Sequence, residues 1–184
     1  YPEAVSKALG EALAITAMLG QALKPDGRLI LQTKSKGALE LLVVNYDQTG
    51  AMRAYAQYDG KLVESYGRNV TQGRLLGEGH LALTIDPGHG AEQHQGIVEL
   101  KSPSLADAAL GYFRQSEQLP TFLRVAVAHH YQAATKAWTW RAGGLLIQYM
   151  PPLAGGQRSS EEDERLVGEL AEAWTRTRLL AASV

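Results

Sequence analysis

The chain has 184 residues, 45% hydrophobic and 20% charged, with no cysteine, which suits one globular domain with a real core and excludes disulfides, thiolate zinc sites and a cysteine nucleophile. Eighteen basic residues against nineteen acidic ones give a net charge of −1, too little basic excess for a nucleic-acid binder driven by phosphate contacts. No run approaches the ~20 apolar residues that span a bilayer.

The chain opens at Tyr1 with neither a methionine nor a signal-like segment, which raises the expectation of a processed piece or a fragment. YPEAVSKALGEALAITAMLGQALK predicts a helix, with Pro2 suited to its first turn and Gly10 and Gly20 its weak points. Its apolar residues point several ways, so it should lie between layers rather than on the surface. GRLILQTKS, ALELLVVNYD and AMRAYAQY then read as short strands of an antiparallel sheet. The LELLVV run is apolar on both faces and predicts a central strand covered above and below, while Asp59-Gly60 fits a tight hairpin turn.

HLALTID and QGIVEL are strand-like, and DPGHGAEQH between them has loop composition. SPSLADAALGYFRQSEQLP predicts an amphipathic helix. Ser104 and Asp107 make its capping box, Leu105, Ala108, Ala109, Tyr112 and Phe113 its buried stripe, and Pro120 its stop. TFLRVAVAHHY and KAWTWRAGGLLIQYMPP return to strand character. After the linker-like LAGGQ, SSEEDERLVGELAEAWTRTRLLAASV predicts a charged helix, capped by Ser159 or Ser160, with acids in its first turn and Arg176 and Arg178 near its end. Leu166, Leu170 and Trp174 form an i, i+4, i+8 ridge that must bury itself against the core, another subunit or a partner.

His80, His89 and His94, with Asp86, suggest a metal site. Pro87, Gly88 and Gly90 break any helix that could present them together, and His80 lies at the far end of a strand, so loop histidines are the preferred reading. His129 and His130 are adjacent in a strand and face opposite sides, one in and one out. Trp138 and Trp140 share a strand face and suit core or interface packing better than a ligand platform. Gly77, Gly79, Gly143 and Gly144 fit bulges or close packing. No nucleophile elbow, phosphate loop or dinucleotide fingerprint occurs, and the carboxylates are scattered. From its residues, the chain is an α+β domain without visible catalytic chemistry.

Several blocks in order, LGEALAITAML, GRLILQTKSKGALELLVVNY, LALTIDPG with HQGIVEL, YFRQSEQLPT and WRAGGLLIQYMP, resemble the 33-kDa chaperonin family, the redox-regulated holdases of the bacterial cytoplasm. The resemblance runs from Tyr1 to about Pro152. It implies a buried N-terminal helix between antiparallel or mixed β layers, with a core over residues 1–155 and a helical linker over 156–184. It further implies ATP-independent binding of unfolded client proteins, no enzyme activity, no membrane or nucleic-acid partner, and a homodimer, swapped through the linker or termini in one arrangement. In the family a C-terminal module of four cysteines holds zinc when reduced and forms disulfides on oxidation, loosening the linker and exposing apolar surface. This sequence departs from that pattern: it has no cysteine and lacks the family's strand before the Tyr-Pro pair. A fragment is therefore expected, with no cofactor of its own and Leu166, Leu170 and Trp174 as the candidates for linker docking or client contact. Two other readings stay open: a metal-dependent enzyme using His89, His94 and Asp86, and a plain interaction domain whose terminal helix binds one partner.

Overall fold

A computed structural model describes residues 1–21, 27–67, 69–88, 92–101, 103–117, 120–149 and 160–183, except for the side chains of 116, 117 and 160–168. Helix α1 (Glu3–Gly20) starts after Pro2. It is followed by β1 (Arg28–Ser35), β2 (Leu39–Asp47) and β3 (Met52–Tyr58), then short helices α2 (Gly60–Tyr66) and α3 (Gln72–Leu76). Strands β4 (Gly79–Asp86) and β5 (His94–Glu99) complete a five-stranded sheet in the order β3-β2-β1-β4-β5, with every pairing antiparallel. Helix α4 (Leu105–Tyr112) widens into a π turn over Phe113–Glu117. A long hairpin, β6 (Thr121–Gln132) and β7 (Ala137–Gln148), forms a separate two-stranded sheet, and α5 (Ser160–Ala182) ends the described chain.

Helix α1 touches the five-stranded sheet on one side and the hairpin on the other, which is the β/α/β layering expected of a helix apolar nearly all round. Val5, Ala8, Ala12 and Ile15 are buried in it. From the sheet, Leu29, Leu31, Leu42, Val44, Leu81 and Leu83 supply the opposing face, alternating along each strand as a half-buried sheet requires. Gly10, a weak point of the helix by sequence, and Gly144, read as a close-packing glycine, both serve close approach. A Cβ at Gly10 would stand 2.8 Å from Val127 Cγ1, and one at Gly144 would stand 2.7 Å from the Arg124 carbonyl oxygen.

Four expectations need correction. Strand β2 is interior but not central, and only its α1-facing side is fully buried; Leu41 and Val43 on the other side are half-buried because no second layer among the described residues covers that face. Asp59-Gly60 is not a hairpin turn. Asp59 is an N-cap whose carboxylate accepts from the Leu62 N–H at 3.0 Å, so the same turn-forming residues start a helix instead. The Ser104 hydroxyl caps α4 by accepting from the Asp107 N–H (3.1 Å), but the Asp107 carboxylate accepts from that hydroxyl (2.7 Å) instead of from the Ser104 backbone, so the box is half closed. Helix α5 runs on to Ala182, leaving Arg178 short of its last turn; the cation at its end comes from β6, where Arg124 Nη1 donates to the Ala182 carbonyl at 2.7 Å. The expected cap at Ser159 and the helix beyond Gln21 lie outside the described residues.

Candidate functional site: apolar surfaces and the terminal helix

Three features outside the core could contact another polypeptide. The first is the outer face of the five-stranded sheet. The strand registers place Tyr55, Val43, Gln32, Ala82 and Ile97 in one row across all five strands. Five strands at about 4.8 Å spacing make this row about 19 Å long. Tyr55 is 54% and Ile97 58% exposed, and half-buried Ile30 and Leu41 flank the row. Gln32 is polar and Ala82 buried at the middle of the row, so its exposed apolar surface stands at the two ends; the neighbouring rows are largely polar, with Gln57 bonded to Glu40 and Gln95 to Thr84.

The second is the seat of α5. Leu170 and Trp174 are half-buried and Ala181 is buried. The Trp174 ring meets Tyr149 edge-on at 6.3 Å. It also lines a groove of about 620 Å³ with Leu110, Phe122, Leu123 and Arg178. Together with the Arg124 bond to Ala182, these contacts hold one stripe of the helix, while Leu179 and Leu180 point to solvent at 69% and 65% exposure. Of the ridge read from the sequence, Leu170 and Trp174 share this seat; the Leu166 side chain lies outside the described residues.

The third is the free end of the hairpin, where Trp138 is 63% and Tyr131 51% exposed. Trp138 and Trp140 do share a face, as expected, but they are not core residues. His129 and His130 are both exposed, so the expected one-in, one-out pair is also corrected: the face that His129 shares with the tryptophans extends past α1 and has nothing over it among the described residues.

Beneath these surfaces a polar clamp joins three helices. Glu11 on α1 accepts from Gln72 Nε2 (2.6 Å) and from the Ala106 N–H (3.2 Å), while Gln72 Oε1 accepts from the Leu105 N–H (2.6 Å). Two otherwise orphaned donors of the first turn of α4 are thereby satisfied. Burial raises the Glu11 carboxyl above the ordinary glutamate range; the bonds from Gln72 and Ala106 oppose that rise and Asp107 adds to it.

The Hsp33 protein family model matches residues 1–183. The chain belongs to that family. A 33 kDa chaperonin of Caulobacter vibrioides is 39% identical over 184 residues, covering 98% of this chain and 56% of the relative. One from Azotobacter vinelandii is 44% identical over 151 residues, covering 82% of this chain and 46% of its own length. The chain thus spans about half the length of the relatives it matches. The crystal structure of a 33 kDa chaperonin from Thermotoga maritima superposes with a TM-score of 0.65 at 22% identity, over 79% of this chain and 49% of that one, and shares the fold.

Within this Hsp33 member the histidines do not converge. His80 pairs with Glu99 and His94 with Ile85, at opposite ends of β4 and roughly 16 Å apart along the strand. Asp86 accepts from the Gly88 N–H (3.0 Å) and from Gln93 Nε2 (3.2 Å); His89 lies outside the described residues. Among the described residues no three His, Asp or Glu side chains group to hold a metal. The zinc that the family resemblance implies needs thiolates, and with no cysteine in the chain the residues present do not fit it. No helix among the described residues is long and apolar enough to cross a membrane.

Sequence reasoning missed the outer sheet stripe and the Glu11 clamp. Tyr55 and Ile97 carried the signal for the first, as apolar residues on the polar beat of their strands; no local pattern announces a carboxylate that caps a helix 95 residues away.

Proposed function

We propose that this chain is the client-holding half of an ATP-independent chaperone that binds unfolding proteins and keeps them from aggregating. The observation that carries the reading is an Hsp33 family member with Tyr55 and Ile97 exposed at the ends of its outer sheet row and, among the described residues, a terminal helix seated along one stripe while Leu179 and Leu180 stay exposed. Contiguous exposed apolar surface is what captures unfolded chains and what a resting protein limits. Helix α5 supplies the limit: docked, Trp174 walls one side of the groove that Leu110 and Leu123 also line; undocked, groove and helix stripe both become available. The acidic run at 161–164 and the arginines along α5 keep the open form hydrated.

In this reading the chain is not an enzyme, its partners are unfolded proteins and a second copy, and it works in the cytoplasm. These 184 residues contain no thiol, so in this reading their own apolar surface is governed by the docking of α5. The test is breadth of binding. Several unrelated denatured proteins, and none of their native forms, should co-elute with the chain. Capture of a single native partner would instead make it a plain interaction domain.

A further inference from the structure

We propose that the free end of the β6–β7 hairpin is a cationic aromatic docking edge for extended client segments that alternate apolar or aromatic residues with acidic ones. This deepens, and rests on, the client-holding reading above.

The register pairs Leu123 with Leu146, Val125 with Gly144 and Val127 with Ala142, then His129 with Trp140 and Tyr131 with Trp138. All ten residues lie on one face. The first three pairs meet α1 or its margin, so the last two continue a core-facing surface beyond the helix that covers it. They are pre-organised. His129 stacks on Trp140 at 4.5 Å and 10°, and Trp138 leans on both His129 (5.0 Å) and Tyr131 (5.6 Å). Rings already fixed by one another lose little freedom when a ligand is added.

Charge selects the occupant. The chain as a whole is at −1, but residues 121–148 hold Arg124, Lys136 and Arg141 and no acidic residue. Lys136 stands in the hairpin turn at φ 51, and Arg141 sits on the reverse face, between Trp140 and Ala142. The ribbon is one sheet thick, so these charges act within a Debye length of anything bound along it. Among the described residues no strand pairs with the outer edge of β7, which leaves backbone groups for strand addition. A strand added there projects alternate side chains to the two faces. One set meets Trp138 and Trp140; the other meets Arg141. An unfolded polypeptide with that alternation supplies both, together with a free backbone.

The experiment titrates the 184-residue chain into dye-labelled, capped peptides and reads anisotropy. The set is an alternating tyrosine–glutamate peptide, a block-ordered peptide of the same composition, an alternating tyrosine–lysine peptide, and oligothymidylate. The alternating acidic peptide should bind about tenfold more tightly than either other peptide, and Trp138→Ala and Arg141→Glu should each weaken it about fivefold or more. Trp138 is largely exposed, so its variant should keep the wild-type urea midpoint; if it misfolds, Arg141→Glu and Lys136→Glu carry the test. Equal affinity for the three peptides overturns the proposal, as does indifference to these variants. Tighter binding of oligothymidylate would assign the surface to nucleic acid. Concentration-dependent self-association that Trp138→Ala abolishes would assign it to a second copy. Either result also overturns the proposal. If the wild-type chain suppresses client aggregation but the peptides show no preference, only this inference fails. If the peptides behave as expected but aggregation is not suppressed, the holding reading fails instead.

Discussion

Replacing Trp174 with alanine perturbs the seat of α5 at its largest contact. Complete truncation of a buried tryptophan costs about 3–5 kcal/mol. Trp174 is only half-buried, and its edge-on contact with Tyr149 belongs to a class worth about 0.5–1.5 kcal/mol beyond burial. Roughly half the burial term plus a weak ring term leaves about 2 kcal/mol, or about thirtyfold in the docking equilibrium. Among the described residues, half-buried Leu170, the small Ala181 contact and the Arg124 bond to Ala182 remain in the seat, the last exposed to solvent and open to screening by salt. The assay is amide exchange across 169–183, with binding of an environment-sensitive dye read in parallel. Exchange in that window should rise by at least tenfold and dye binding should increase, while the main unfolding transition stays put because the α1 core is untouched. Leu179→Ala, at a position 69% exposed, is the silent control. Unchanged exchange and dye binding in Trp174→Ala would refute the docking account. A main transition lowered by several degrees would refute it too, since α5 would then be part of the cooperative core.

Thr33 is fully buried and its hydroxyl has no hydrogen-bond partner among the described residues, so Thr33→Val should raise stability by about 1 kcal/mol in urea unfolding; a loss would mean the hydroxyl is satisfied. Glu11 has a folded pKa above its unfolded one, so the native state binds the extra proton. The contribution is present below the ordinary glutamate range and lost as pH rises through the folded value. Glu11→Gln should remove that decline, and urea midpoints of both proteins across pH 4 to 7 should converge toward acid if wild-type stability is measured relative to the variant; a constant offset would contradict the direction. Lys136→Gly relieves a left-handed backbone and should stabilise the hairpin by about 1 kcal/mol in thermal unfolding, whereas no gain would mean that the turn carries no strain.

The layering of the fold was legible because α1 shows its composition openly: a helix apolar on several sides has to be covered on several sides. Strand positions followed from alternation and turn residues. The turn at Asp59 was misread because Asp-Gly serves a hairpin and a helix start equally well, and only the residues after it decide. Trp138 and Trp140 were placed on the correct face, but burial depends on where α1 stops beneath that face, a tertiary fact absent from local pattern. The α5 ridge was visible as a periodicity. Its partner was not, since Tyr149 and Leu110 reach Trp174 through the fold rather than through any spacing. Family membership was legible in the ordered blocks, even though the cysteines that would mark redox control are missing from the sequence.

The central claim is that this chain itself holds unfolded proteins. The direct measurement is light scattering from a chemically denatured client diluted into the purified chain, without ATP and without oxidant. The account predicts that scattering falls as the chain approaches molar equivalence with the client, and that Trp174→Ala lowers the amount required. Scattering that stays at the level of an inert control protein, for wild type and variant alike, would contradict it.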